Sequence, residues 1–429
     1  MPNKEYEWST IDNPPPIDPH SLAKHRVLEE YLRRYIRKLT LNPATRKLRL
    51  HIVDGFAGGA IYRRADNNEI HFGSPVIIHR AVKDEVARIN ESRIIPFELE
   101  LHLYLVENKP INVSVLKAVL DNHGIAHDCE GNETTTVITG KFETYKDKLI
   151  ERVSAKGRKH RVLFLLDQYG YKAILMPTLA KILKTLPDAE ILLTFATDWV
   201  IDYMSRDSEV AARMEKTLKE LGINSAHYNI NVKEVKESPF WRHVAQNELA
   251  NSIRVNSGAA FYTPFFIKTA ETHRTYWLIH LSQHEIARDE MMKTHWEKHN
   301  HFTHPGGPGF NMLGYNPALD ESITGQCSLD LQYEFDNHAK KLSKDTLREQ
   351  LPEYLYNAIP TTLREILKQK SNGTPADSSL LAEILAELID HRQIVISDPK
   401  TGASRTKSST INLDDVIEYP KQRLLGIFT

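Results

Sequence analysis

Apolar runs with strand character alternate along the chain with stretches whose apolar residues recur at helical spacing. Leu28, Tyr31, Leu32 and Tyr35 fall three and four apart, which predicts a helix from about Leu22 to Leu39 with Ser21 as its cap. Leu48 to Asp54 alternates as a strand and stops in a glycine-rich turn, Gly55-Phe56-Ala57-Gly58-Gly59. Gly73-Ser74-Pro75 then marks a helix start, with Ser74 as cap and Pro75 at the first helical position. Further apolar runs follow at Glu98–Val106, Thr135–Thr139, Val162–Leu166 and Ala189–Ala196, each spaced to leave room for a helix. Val162–Leu166 is continuously apolar, as a strand buried on both faces must be. Tyr276–Leu281 comes after a long interruption. Strands alternating with helices predict an α/β domain with a mostly parallel sheet.

Three segments depart from this rhythm. The first 20 residues are polar and carry Pro14, Pro15, Pro16 and Pro19, which favour extended chain and predict a flexible arm. Residues 203–264 are charged and helical in pattern, an insertion suited to a lid or a partner surface. Beyond about Lys341, helices at 347–359, 362–370 and 380–390 precede a strand and turn at Ile394–Gly402 and a strand from about Arg405 to Leu413. Helices followed by a basic hairpin predict a winged-helix-like module. The organisation expected is an arm (1–20), an α/β domain (21–335) and a winged-helix-like domain (341–429).

Composition narrows the function classes. The chain has 429 residues, and 55 basic against 56 acidic residues leave a net charge of −1. No global field attracts nucleic acid, so any such contact must come from a local patch. Cys129 and Cys327 are too few for a disulfide framework or a cysteine-rich metal site. No stretch approaches the roughly 18 apolar residues of a membrane span, and the N-terminus lacks the apolar core of a signal peptide. The expectation is a cytoplasmic protein with no membrane partner.

Candidate chemistry collects at strand ends. Asp54, Gly55, Phe56, Ala57, Gly58 and Gly59 form a turn whose glycines allow a nucleoside-type cofactor to approach backbone; the alternative is a plain strand-to-helix turn. Glu107 ends the next long strand, where a carboxylate can accept ribose hydroxyls; the alternative is a solvated acid. Asp167-Gln168-Tyr169-Gly170 offers an acid and a ring for a planar acceptor, or a turn with a core tyrosine. Lys24, on the N-terminal helix, is placed to close a cofactor pocket from before the glycine turn, but reads more simply as an exposed lysine. Lys400, Arg405 and Lys407 on the wing can contact phosphates, although Asp398, Asp414, Asp415 and Glu418 dilute their field. His295 and His299 share helical spacing, but six histidines between His280 and His304 fit a polar helix end leading into the Pro305–Gly309 loop better than a metal site. No metal is expected.

Asp54-x-Phe56-Ala57-Gly58 resembles motif I of Rossmann-like S-adenosylmethionine-dependent methyltransferases, especially those acting on nucleic acid. Glu107 falls where such enzymes place the ribose acid, and Asp167-Gln168-Tyr169 where amino-methyltransferases carry an Asp-Pro-Pro-Tyr type motif. Together with Gly73-Ser74-Pro75, Trp277–Leu281 and Arg288–Met291, these pieces resemble the three-Cys-motif partner (TcmP) family over roughly residues 20–300. The resemblance implies S-adenosylmethionine as cofactor, held by residues 54–59 and Glu107, with Asp167 and Tyr169 orienting the acceptor. It also implies a separately encoded three-Cys-motif protein as partner, with DNA or RNA contacted through the C-terminal module. Two positions depart from the pattern: Ala60 replaces a further glycine, narrowing the cofactor site, and Gln168 replaces the proline that shapes an amine-acceptor turn. Those departures keep two other readings open, a non-catalytic, defence-associated assembly component and a metal-dependent nuclease or hydrolase.

Overall fold

The computed structural model describes residues 6–129, 134–155, 161–168, 173–196, 251–269, 272–298 and 337–420. It also describes 216, 219–222, 249, 302–304, 308–310 and 333–334. The chain divides into two compact units, Met1–Thr303 and His304–Thr429.

In the first unit, five strands run parallel: β1 (Lys47–Asp54), β2 (Glu98–Glu107), β3 (Thr134–Thr139), β4 (Arg161–Leu166) and β5 (Ala189–Ala196). Their spatial order is 3-2-1-4-5. Between them lie α1 (Ser74–Glu91), α2 (Pro110–Asn122), α3 (Phe142–Ser154) and α4 (Met176–Thr185). β1, β2 and β4 are buried along almost their whole length, so both sheet faces are covered.

Beyond β5 the sheet turns antiparallel. A hairpin of β6 (Phe261–Thr269) and β7 (Thr272–Ser282) inserts β7 against β5, with His280 opposite Leu192, and leaves β6 outside it. β6 shortens the expected helical insertion, because residues 261–264 are strand; most of 203–248 lies outside the described residues. Pro264 hides this strand in the sequence, since proline argues against a ladder position. Phe302 and Thr303 pair with β6 on its other side. His280 is no polar helix end. It is buried with its Nε2 2.9 Å from Glu190, which also accepts from the Tyr31 hydroxyl.

An N-terminal helix, α0 (Pro19–Leu39), packs on α1 and on α5 (Glu285–Lys298). It begins three residues earlier than its periodicity suggests. Asp18 is its cap, accepting from Ser21 N at 2.8 Å, and Pro19 takes the first helical position. The start of α1 shifts likewise: Gly73 is the cap position and Ser74 lies inside the helix. His295 on α5 is buried, which again corrects the reading of a polar helix end, while His299 and His301 lie outside the described residues.

The segment read as a flexible arm is docked from Tyr6 onward. Trp8 is buried and donates its indole N–H to Ile61 O at 2.6 Å. Pro16 and Ile17 pair with Arg63 and Arg64 in a small separate sheet. Trp8 lies directly on the glycine-rich turn: a Cβ at Gly59 would sit 2.5 Å from the indole, and one at Gly58 2.7 Å. Gly58 also has a φ of +58°, a conformation in which a side chain is strained. These glycines are therefore required by Trp8.

The second unit holds α6 (Asn337–Ala358), β8 (Thr361–Thr362), α7 (Leu363–Lys370), α8 (Ser378–Asp390), β9 (Val395–Ser397) and β10 (Val416–Glu418). The three strands form an antiparallel sheet with β10 in the middle. Leu347, Leu351, Ile366, Leu381, Ile384, Leu385, Ile396 and Ile417 share one core. Residues 405–413, expected as a strand, are loop with a single short helical turn at Ser408–Thr410; the strand comes later, at β10. Ser408, Ser409 and Thr410 interrupt any alternation that could bury one face there.

Gly59→Ala is expected to destabilise the first unit by about 1–3 kcal/mol, the usual cost of overpacking, measured by urea unfolding followed by tryptophan fluorescence. A variant as stable as the parent would show that Trp8 is not seated on this turn.

Candidate functional site

The parallel register brings three acids to one edge. Asp54 ends β1 and pairs with Leu105 of β2 and Leu165 of β4. Glu107 and Asp167 therefore each stand two residues beyond Asp54's partner, on either side of it. The turn after Asp54 is tied to both neighbours, with Gly55 N donating to Leu165 O at 2.8 Å and Ala57 N to Val106 O at 3.0 Å. A cavity of about 480 Å³ opens at this edge. It lies at the carboxyl ends of the strands, where the strand order reverses, the usual place for a ligand in such sheets. Its size suits a small organic molecule.

Of the residues singled out in the sequence, Gly55, Phe56, Gly58, Glu107 and Asp167 line this cavity. Ala57 is buried and Gly59 lies under Trp8. Asp54 is buried behind the turn, with Oδ2 accepting from Ser74 Oγ at 2.6 Å and Oδ1 from Phe56 N at 3.1 Å. Its role here is to shape the turn. Ala60 is fully buried, holds a left-handed φ of +58°, and is absent from the cavity wall, so its methyl group does not narrow the site. Tyr169 and Gly170 lie outside the described residues. Gln168 is buried and its side-chain carbonyl accepts from Ala173 N and Ile174 N, both at 3.0 Å, bonds that a proline at this position could not make.

The wall also contains residues the sequence did not single out for it: Tyr6, Trp8, Asp18, Asn112 and Thr194. Lys24 is not an exposed lysine. Its ammonium reaches from α0 into the cavity and bonds both oxygens of Asp167, at 2.5 and 2.6 Å. The Asp-Pro start of α0, and a tryptophan in an otherwise polar arm, were the available signals for this wall. The Lys24–Asp167 pair left none, because 143 residues separate its partners.

The three acids are held in different states. Burial raises the pKa of Asp54 to about 6, against hydrogen bonds from Ser74 and Phe56 and with the charges of Asp167 and Glu107 adding to the rise. Asp167 shows the opposite balance. Burial pushes it up, but the charge and hydrogen bonds of Lys24, a hydrogen bond from Thr194 and the charge of His25 hold it below the ordinary carboxylate range. Its side chain is still 43% exposed, because the cavity gives access to it. Glu107 accepts from Gly58 N at 3.1 Å on one oxygen, and from Lys109 N at 2.8 Å and Asn112 Nδ2 at 3.0 Å on the other. A carboxylate has about four acceptor sites, so one remains. His25, beside His71 at 2.9 Å, is held neutral by burial, with a pKa near 3. Among the described residues, no three His, Cys, Asp or Glu side chains gather as metal ligands, and no helix is long and apolar enough to cross a membrane.

In the second unit, Lys400 and Lys407 are exposed. Arg405 is not available to a phosphate in this arrangement. It bonds Asp415 at 2.8 and 3.1 Å and Asp398 at 2.7 Å, bracing the wing. The second helix of a helix-turn-helix normally enters the groove. Here that helix, α8, carries Glu383, Glu387 and Asp390 and no Lys or Arg. Glu383 and Glu387 are paired with Lys344, and Glu387 also with Arg348, on α6.

Comparison with known proteins finds a family model described as a GMT-like wHTH domain, matching residues 314–401. The second unit thus carries a winged helix-turn-helix domain, which is compatible with DNA binding. No curated protein matches the chain. Among solved structures, protein LPL1258 from Legionella pneumophila str. Philadelphia 1, described under the family model DUF519, aligns at 11% identity. The alignment covers 60% of this chain and 85% of that one, with a TM-score of 0.28. EvdMO1 aligns at 11% identity over 70% of this chain and 53% of its own, with a TM-score of 0.25.

Two outcomes follow from these geometries. Asp54 keeps its proton in the folded state up to about pH 6, whereas at its ordinary value of 3.8 the unfolded chain has already lost it. Asp54 therefore makes the fold lose stability as pH rises from about 4 to 6, by roughly 3 kcal/mol at most. Asp54→Asn should flatten that part of the profile relative to the parent, measured by urea unfolding at each pH. Arg405→Ala should lower the unfolding temperature of the second unit in scanning calorimetry, because it releases Asp398 and Asp415 together.

Proposed function

We propose that the first unit is a Rossmann-like methyltransferase-type domain that binds S-adenosylmethionine and transfers its methyl group to nucleic acid, with the winged helix-turn-helix unit contacting substrate or partner. The supporting observation is the placement of Glu107 and Asp167 on either side of the Asp54–Gly58 turn, lining one cavity at the switch point of a 3-2-1-4-5 sheet. That order is the one found in dinucleotide-binding folds. S-adenosylmethionine supplies an electrophilic methyl group on a sulfonium centre.

The residues present fit this cofactor. The remaining acceptor site on Glu107 can take a ribose hydroxyl, and Phe56 offers an apolar face. Asn112 Oδ1 is buried and has no hydrogen-bond partner among the described residues. Positioning supplies most of the rate in a transfer of this kind, since the acceptor only has to approach in line. In the wing, phosphate contact falls to Lys400 and Lys407.

A second reading, a non-catalytic component of an assembly with a three-Cys-motif protein, draws on the neutralisation of Asp167 by Lys24 and the sealing of Gly58 and Gly59 by Trp8.

Titration calorimetry of the full chain with S-adenosylmethionine separates the two. Binding is expected in the micromolar range, weakened tenfold or more by Glu107→Ala, a change of about 1.4 kcal/mol or more. No heat of binding to folded protein would leave only the assembly reading.

A further inference from the structure

The Lys24–Asp167 pair lies on the opposite side of β1 from Glu107. Glu107 belongs to β2, whereas Asp167 follows β4, and Thr194 sits on β5 beyond it. Strands lie about 4.8 Å apart, so Glu107 and Asp167 are about 10 Å apart across the edge. The cavity thus has a Glu107 end and a Lys24 end.

Counting donors and acceptors at the Lys24 end defines what it can hold. An ammonium has three N–H groups and no acceptor. Two of Lys24's point at Asp167, and among the described residues it makes no other hydrogen bond. Asp167 has about four acceptor sites; Lys24 uses two and Thr194 one. One donor and one acceptor remain side by side on a wall of the cavity.

A hydroxyl satisfies both, accepting from Lys24 and donating to Asp167. An exocyclic amine on a base only donates, because its lone pair is delocalised into the ring, so it leaves the Lys24 N–H facing a donor. Satisfying two donors on Asp167 would require displacing the Lys24 ammonium, which gives up a charge-assisted hydrogen bond to that carboxylate.

We propose that the acceptor handled by Lys24, Asp167 and Thr194 is a hydroxyl, and that among nucleic acids it is the 2′-hydroxyl of RNA. This rests on the cofactor reading above. In the step, the acceptor oxygen forms a bond to the methyl carbon, and the bond from that carbon to sulfur breaks. The electron pair stays on sulfur, which becomes a neutral thioether. The hydroxyl proton passes to Asp167 and on to solvent. Asp167 suffices as base because an oxygen carrying both carbon substituents and a proton is a far stronger acid than a carboxylic acid. Lys24 donates to the acceptor oxygen and orients it. Only RNA offers the 2′-hydroxyl, which lets a protein tell the two nucleic acids apart at one site.

The test uses the full chain, S-adenosylmethionine labelled in its methyl group, a mixed-sequence RNA of about 40 nucleotides and its all-2′-deoxy counterpart. Label is expected on the RNA alone, in dinucleotides that resist alkaline cleavage because the 2′-oxygen is blocked. Lys24→Met should cut transfer by a hundredfold or more. It should change calorimetric binding of S-adenosylhomocysteine by less than threefold, and in anisotropy competition it should remove the preference for RNA over the deoxy strand. Lys24→Arg, which preserves the charge, serves if the methionine variant unfolds, and should retain that preference. Label on bases, on the deoxy strand or on protein overturns the proposal, as does cofactor binding with no label on RNA. Absence of cofactor binding instead overturns the reading on which it rests.

Discussion

Parallel strands that end together bring their end residues together, and here three of those residues are acids. Asp54, Glu107 and Asp167 stand at the ends of three neighbouring strands, and three ionised carboxylates at that spacing repel one another. The surrounding structure answers each separately. Asp54 is buried with a raised pKa and a hydroxyl partner in Ser74. Glu107 is surrounded by two backbone N–H groups and an amide. Asp167 receives a full positive charge from Lys24. The turn, the starts of α1 and α2 and the inward face of α0 all carry parts of this solution. The charges of Asp167 and Glu107 both raise the pKa of Asp54, so the partners that hold those two acids bear on the third as well.

The strand-end acids were legible in the sequence because each closes a local run of strand character, alternating before Asp54 and Glu107 and continuously apolar before Asp167. The same locality explains what was missed. Lys24 meets Asp167 across 143 residues, and no local pattern encodes that approach. β6 was hidden by Pro264, a residue that weighs against a strand unless its neighbours can spare the N–H. The glycines of the turn were legible as glycines, but not their reason. Close approach was anticipated from a ligand, whereas the group that approaches in the structure is Trp8. Helix caps shifted by one to three residues because Asp18 and Gly73 were passed over for the serines that follow them.

The wing shows the same limit. Residues 341–420 carry ten Lys and Arg against twelve Asp and Glu, so this stretch has no net positive field to hold a polyanion. Lys400, Arg405 and Lys407 look equivalent in sequence, yet the fold uses Arg405 as a brace between Asp398 and Asp415. A guanidinium is suited to that work, since its fork can bond two carboxylates at once, and the two lysines stay at the surface. α8 is acidic, and its Glu383 and Glu387 are paired to α6, so this helix offers no basic side chain to a phosphate.

The N-terminal segment links the two ends of the cavity. Trp8 covers Gly58, whose N–H is bonded to Glu107, and so bears on the Glu107 end. Ten residues later Asp18 caps α0, and within its first turns the same helix delivers Lys24 to Asp167. Tyr6 ties the two parts together by donating its hydroxyl to Asp18, while its ring packs at a tilt on Trp8 and edge-on to Tyr62. One stretch of chain, residues 6–24, thus carries both contacts, Trp8 on the glycine turn and Lys24 on Asp167, and so bears on the cavity at both ends.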